Sequence, residues 1–398
     1  MEEAWRFLEN TFFCSMVLSR HDICIFLVLA VCTGLLLLIP GPSRLASQSG
    51  FRARARVLEV DDSALQKHDL VWFGSQRLWV QILNGPLKGQ RFVAGNELRA
   101  QMELDKRFIP GDTAIVVIDK STPAPNDVLI AQDHSRLGWT AVLFACFCAL
   151  LCVFGGWTGF NALLSFLFSC LVIWKAVIPL ALRGWSASWT VFASVVLLTA
   201  VIMYLVAGLN RRGITAFLGA TLGILIGLLT AHLFTSLLKI NGATLPYAQT
   251  LLFSGYDFLD LSDVFVGAMI LASSGAVMDL AMDISSGIEE IHRHNPNLPQ
   301  RELFLSGIRI GRSVVGTMTT TLLLAYSGGY ITLLMMFCAQ GNTPWDFINN
   351  PLVAAESVKT LIGSFSLVLV APFTAVIGAW LFRRAEIITL PEKEKCKN

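Results

Sequence analysis

The chain has 398 residues, 54% of them hydrophobic and 15% charged, with a net charge of +2 and a mean hydropathy of +0.62. That balance excludes an ordinary soluble enzyme and predicts a polytopic membrane protein, with the lipid bilayer as its first partner. No basic tract or aromatic-interleaved patch points to nucleic acid. The nine cysteines lie mostly in apolar stretches and form no CxxC or Cys/His spacing. No disulfide framework, metal site or cofactor is therefore expected.

In chain order, residues 1–22 mix charges with the apolar Phe7, Leu8, Phe12 and Phe13 and read as a cytoplasmic or interfacial lead-in. Residues 23–39, ICIFLVLAVCTGLLLLI, are just long enough to cross a bilayer, and Pro40-Gly41-Pro42 ends the helix. A cleavable signal peptide is the rival reading. The long, mixed-charge leader and the lack of an Ala-x-Ala site favour an uncleaved anchor over 23–40.

Residues 41–135 form the polar block. Within it Arg52–Val60, Leu78–Leu83 and Thr113–Ile118 alternate like strands, and Asn84-Gly85-Pro86, Lys88-Gly89, Gly95-Asn96 and Pro110-Gly111-Asp112 read as turns. Short strands at this density predict a small closed β-barrel, similar to the oligonucleotide/oligosaccharide-binding fold. No catalytic constellation falls in it. Asp61-Asp62 and Arg52, Arg54 and Arg56 read as solvated strand faces.

From Leu137 the pattern predicts spans at 137–155, 158–180, 187–208, 214–238, 263–281, 313–338 and 357–382, a seven-helix domain over 137–384 and eight spans with the first. Gly155-Gly156-Trp157-Thr158-Gly159 reads as a tight turn between the second and third. Gly219, Gly223 and Gly227 recur every four residues and predict a close-packing face. Pro372 is expected to kink the last span.

Arg211 and Arg212, the arginines at 293, 301, 309 and 312 in a 292–312 loop, Arg383 and Arg384, and the lysines of the tail 385–398 fall on one side of an eight-span topology. Basic loops stay inside, so both termini are expected in the cytoplasm and the barrel outside.

Residues 263–291 carry the strongest functional signal. At 100° per residue Ala268, Ala272, Gly275, Asp279, Asp283, Ser286 and Glu290 share one stripe, with Ile270, Val277, Ile284 and Ile288 opposite. Small residues admit a neighbouring backbone and a carboxylate is costly against hydrocarbon, so the acidic stripe is expected to face a bundle interior or a wet cavity. Asp279 and Asp283, four apart, are neighbours on the helix and would share a proton in low dielectric. The alternative is that a helix of about 43 Å emerges into water at its inner end.

On the next span Arg312, Gly316, Thr320 and Ser327 share a face, with Arg312 placed to pair with Asp283. Thr317, Thr319, Thr320 and Thr321 can line a polar path or bond back to their own helix. Ser273-Ser274-Gly275 reads either as an unwound ion-binding break or as small-residue packing. His232, beside Thr230 and Thr235, is a candidate proton relay or a satisfied core histidine. His292-Arg293-His294 reads as a cytoplasmic loop, and Glu356 and Lys359 as a local pair.

Three stretches resemble the YibE/F family of bacterial integral membrane proteins: GRSVVGTMTTTLLLAYSGGYITL at 311–333, SSGAVMDLAMDISSGIEEI at 273–291 and AAESVKTLIGSFSLVLVAPFTAVIGAW at 354–380. The resemblance spans roughly 24–384 and implies an inner-membrane protein with an exported domain. Ser313 and Thr320 stand where the family pattern favours Asp and Asn. Family membership implies no established activity.

No HExxH, GxSxG or P-loop occurs. Glu289-Glu290-Ile291-His292-Arg293 falls one residue short of the EExxxR motif of intramembrane prenyl-protein-type proteases, without its histidine pair. The reading is an all-α polytopic protein with an exported barrel, a non-enzymatic permease coupled to protons or ions through Asp279. Asp283, Arg312, Thr320, His232 and Ser274 are its other candidate pathway residues. The alternative is a scaffold or accessory subunit docking an envelope protein or a related family subunit.

Overall fold

Period-two burial builds the first domain: Ala53, Ala55 and Val57 turn inward on one strand and Leu78, Val80 and Ile82 on another, while Arg52, Arg54 and Arg56 face out. The structure is a computed structural model describing residues 51–102, 105–118, 128–208, 210–341 and 343–389, with positions 31, 33, 34 and 38. The expected lead-in 1–22, nearly all of the 23–40 span and the tail beyond Thr389 lie outside the described residues.

The strands are β1 (Phe51–Asp61), β2 (Leu65–His68), β3 (Val71–Ile82), β4 (Arg91–Arg99), β5 (Thr113–Ile118) and β6 (Val128–His134). β1 pairs with both β3 and β5, β3 with β4, β5 with β6, and β4 runs parallel to β6. Five strands thus close on themselves, and β2 hangs on β3 as a hairpin. Phe108, fully buried, plugs the interior.

Two readings of this block change. Gly95-Asn96 is no turn: both residues lie inside β4, with Asn96 4% exposed in the barrel interior. Asp62 is not merely solvated. It accepts from Gln76 Nε2 at 2.7 Å and from Arg107 at 2.6 Å. Burial alone would raise its carboxyl; the Gln76 and Arg107 bonds outweigh that and hold it below the ordinary aspartate value.

The helices are α1 (Leu137–Val172), continuing through a π-turn at Ile173–Val177 into α2 (Ile178–Ala181), then α3 (Ala187–Ala207), α4 (Arg211–Leu237), α5 (Ala248–Phe253), α6 (Leu261–His294), α7 (Gln300–Gly329), α8 (Ile331–Ala339), α9 (Pro344–Asn349) and α10 (Pro351–Thr389). At Gly156 the backbone leaves the helix (φ 52°, ψ −128°), where the glycine-rich turn was expected. Among the described residues five helical stretches are long and apolar enough to cross a membrane, or six with the bent pair α7–α8.

α6 is the hub, packed against α3, α4, α7 and α10. The glycine series works as its spacing predicts. A Cβ on Gly219, Gly223 or Gly227 would run into Thr374, Val370 or Ser366 of α10, so the two helices meet backbone to backbone. α10 stays helical through Pro372.

The 313–338 span is broken: α7 ends at Gly329, and α8 leaves at 66°. The 292–312 loop is also much shorter than expected. His292, Arg293 and His294 form the last turn of α6, where positive groups suit the helix C-terminus. Arg301, Arg309 and Arg312 already lie in α7.

Candidate functional site

α6 starts where Asp260 caps it, accepting from the amides of Ser262 (2.9 Å) and Asp263 (3.3 Å). From there it runs unbroken for 34 residues, about 51 Å. Ser273 and Ser274 sit within this continuous helix and donate back to the carbonyls of Met269 and Leu271, so no unwound break is present.

The direction of the acidic stripe is the main correction. Ile270, Val277, Ile284 and Ile288, expected to meet lipid, are 0–1% exposed and form the bundle core. Ala272, Gly275, Asp279, Asp283 and Glu290 lie on the exposed side, and Ala268 and Ser286 are half-buried. The cause is steric. Gly307 and Gly311 of α7 and Ala371 and Ala375 of α10 leave hollows, and the δ-methyls of Ile288 and Ile284 fill them.

α7 shows the same outward polarity. Arg312, Ser313, Gly316, Thr317 and Thr320 are exposed. Thr320 donates to Gly316 O at 3.1 Å, Thr321 to Thr317 O at 3.0 Å and Thr317 to Val314 O at 2.9 Å, the back-bonding alternative. Asp283 and Arg312 share a level but form no ion pair. Nearby, Glu289 pairs with Arg212 (3.5 Å) and Glu290 with Arg293 (2.6 Å), while Glu356 pairs with Lys359 (2.8 Å) toward the start of α10.

His232 belongs to a second cluster at the other end of α6. Its Nε2 lies 3.0 Å from Ser188 Oγ and 3.9 Å from Asp263 Oδ1. Asp263 in turn accepts from Ser186 Oγ at 2.8 Å and from the Ser188 amide at 3.2 Å. Both His232 contacts use one nitrogen, so this is not the geometry in which a carboxylate orients a histidine from behind for a serine nucleophile. His232 and Asp263 line a cavity of about 410 Å³ with Thr235, Lys239, Asn241 and Asp260. Thr235 is 4% exposed there, and among the described residues its hydroxyl has no partner. Sequence reasoning found His232 but missed Ser188 and Asp263, which lie 44 residues before it and 31 after it. Among the described residues no three His, Cys, Asp or Glu side chains gather to hold a metal.

Membrane-length apolar helices around a buried hub, joined to a small β-barrel, define a multi-pass helical membrane protein with an N-terminal β domain. Residues 143–384 match the family described as YibE/F-like protein, and the chain belongs to that family. No curated protein and no solved structure matches it.

Proposed function

We propose that this protein is an ion- or proton-coupled membrane permease whose polar route follows the outward face of α6 and α7. The observation that carries the reading is Asp279 and Asp283, exposed and, among the described residues, without a counter-charge on a membrane-length helix. An ionisable residue at membrane depth is expensive, and function is the usual reason for keeping it. The packed core of isoleucines on the inner side of α6 argues against a path through the bundle itself. Asp279 would be the coupling carboxylate, with Asp283, Arg312 and Thr320 along the face, Ser274 behind it and the His232 cavity at the mouth.

The same sealed core supports a second reading, a non-transporting scaffold or accessory subunit. In that second reading the barrel docks an envelope protein or a related family subunit; in neither reading does the chain catalyse a reaction. The strand pairing supports an oligonucleotide/oligosaccharide-fold-like barrel, a closed Greek-key arrangement. An eight-span topology follows if 23–39 crosses once and the chain crosses twice about Gly156. The basic ends of α4, α6 and α7 then face the cytoplasm of a bacterial inner membrane, with both termini.

Single cysteines at 272, 275, 279 and 283 in a cysteine-free background, probed from each side with an impermeant thiol reagent, separate the two. Labelling at 272–279 from both sides supports a route. Labelling confined to 283, from the cytoplasm alone, removes the permease reading in favour of the scaffold.

A further inference from the structure

Asp279, Asp283 and Arg312 are exposed, and among the described residues none has an ion-pair or hydrogen-bond partner. The exposed hydroxyls of Thr317, Thr320 and Thr321 beside them are committed to their own helix. Left against hydrocarbon, such a face is unstable. Segment 23–39 carries no charged residue, so it could cover the face without neutralising it.

We propose that a second copy of this chain covers the face, about a twofold axis along the membrane normal. The argument is one of depth and charge. Ile284 packs over Gly311 and Ile288 over Gly307, so Asp283 and Arg312, the adjoining residues, lie at one level. Rotation about the normal leaves depth unchanged. The partner's Arg312 therefore arrives at the level of Asp283, and the partner's Asp283 at that of Arg312, two identical opposite-charge contacts closing an isologous interface. The surface also permits close approach. Ala272 is exposed, and the Cβ positions of Gly275 and Gly316 meet nothing within 4 Å. The dimer does not depend on transport; a scaffold would form it equally.

The test uses the full chain in lipid nanodiscs and reads mass by light scattering. The parent is expected to be a dimer. Asp283→Arg and Arg312→Asp each place like charges opposite each other twice and should weaken self-association at least tenfold. Mixed together, the two variants restore both opposite-charge contacts and should form a one-to-one heterodimer. Gly316→Leu projects into open space within its own chain, so it should fold normally and still lose the dimer. A monomeric parent, persistent dimers of Asp283→Arg or Gly316→Leu, or failure of the two charge variants to pair with each other would overturn the proposal. So would a parent that pairs only with a different subunit. The dimer would shield residues 272–283, so the labelling that decides between permease and scaffold is read on monomeric Gly316→Leu as well as on the parent.

Discussion

Ile284 of α6 lies over Gly311 of α7, its Cδ1 3.2 Å from the point where a side chain on that glycine would begin, and Ala371 of α10 closes the hollow at 2.8 Å. A methyl at 311 has nowhere to go, because its nearest neighbours are a β-carbon fixed to a helix and a core isoleucine. Gly311→Ala should therefore destabilise the bundle by about 1–3 kcal/mol, the usual cost of overpacking. Gly316→Ala, one and a half turns on and facing open space, should stay within about 0.5 kcal/mol of the parent. Thermal unfolding of both variants in the same detergent checks the contrast; equal losses would mean the three helices do not meet as described.

That contact also explains what was legible in the sequence and what was not. The stripe on residues 263–291 is plain from periodicity, but periodicity does not give its direction. In water the apolar side of a helix must turn inward. In a membrane both lipid and core are apolar, so branched isoleucines fit either, and the hollows left by Gly307, Gly311, Ala371 and Ala375 decide. Those hollows come from other helices, and nothing in residues 263–291 reports them. The glycine series of α4 was readable because small residues at fixed spacing predict close approach whichever neighbour fills it. Strand β4 was hidden because Gly95-Asn96 carries turn chemistry, and Asn96 is held in a strand only by partners elsewhere in the barrel. The His232 cluster was half-visible for the same reason: Ser188 and Asp263 come from two other helices.

Those barrel partners make a further prediction. Asn96 Nδ2 donates to Gln76 Oε1 at 2.9 Å and to Lys106 O at 2.6 Å, and Gln76 Oε1 also accepts from the Phe108 amide at 3.0 Å. Gln76 thus pins the 100–112 connection and holds Phe108 in the core. Gln76→Leu leaves the Phe108 amide and one side of Asn96 unpaired in a buried place, at about 1–3 kcal/mol for each group. Limited proteolysis of the full chain should show new cleavage within 100–112, while cleavage of the helical region stays as in the parent. Unchanged protection of that connection would rule the network out as its anchor.

Asp62 adds a pH dependence to the same domain. Its carboxyl is held below the ordinary aspartate value in the folded barrel, so protonation favours the unfolded state. The stability it contributes is complete above the ordinary aspartate range. It is lost as pH falls through that range toward the lower folded value. Part of the site is open to solvent, with 34% of the Asp62 side chain exposed, so the effect is modest. Asp62→Asn should lower proteolysis resistance modestly at neutral pH and leave it nearly unchanged in acid, so the acid limb flattens. A variant curve that follows the parent down the acid limb would contradict it.

Asp263 belongs to α6 but caps α3. Its carboxylate accepts from Ser186 Oγ and the Ser188 amide, close to where α3 begins at Ala187, and no side chain of α3 itself caps that end. Free amides at a helix start favour a negative group, and a cap from a neighbouring helix fixes the two together as well as satisfying the donors. Asp263→Ala should release this end of α3 at about 1–2 kcal/mol, the usual cost of losing a cap. Asp263→Asn keeps an acceptor oxygen and should cost less. The local readout is hydrogen exchange over 186–190, expected to rise about tenfold in the alanine variant and less in the asparagine one. A second readout is thiol labelling at Thr235→Cys, since residue 235 is buried in the adjoining cavity and becomes reachable when α3 moves. If exchange rises equally in both variants, the negative charge rather than the acceptor holds the helices together; if neither moves, Asp263 is not the cap of α3.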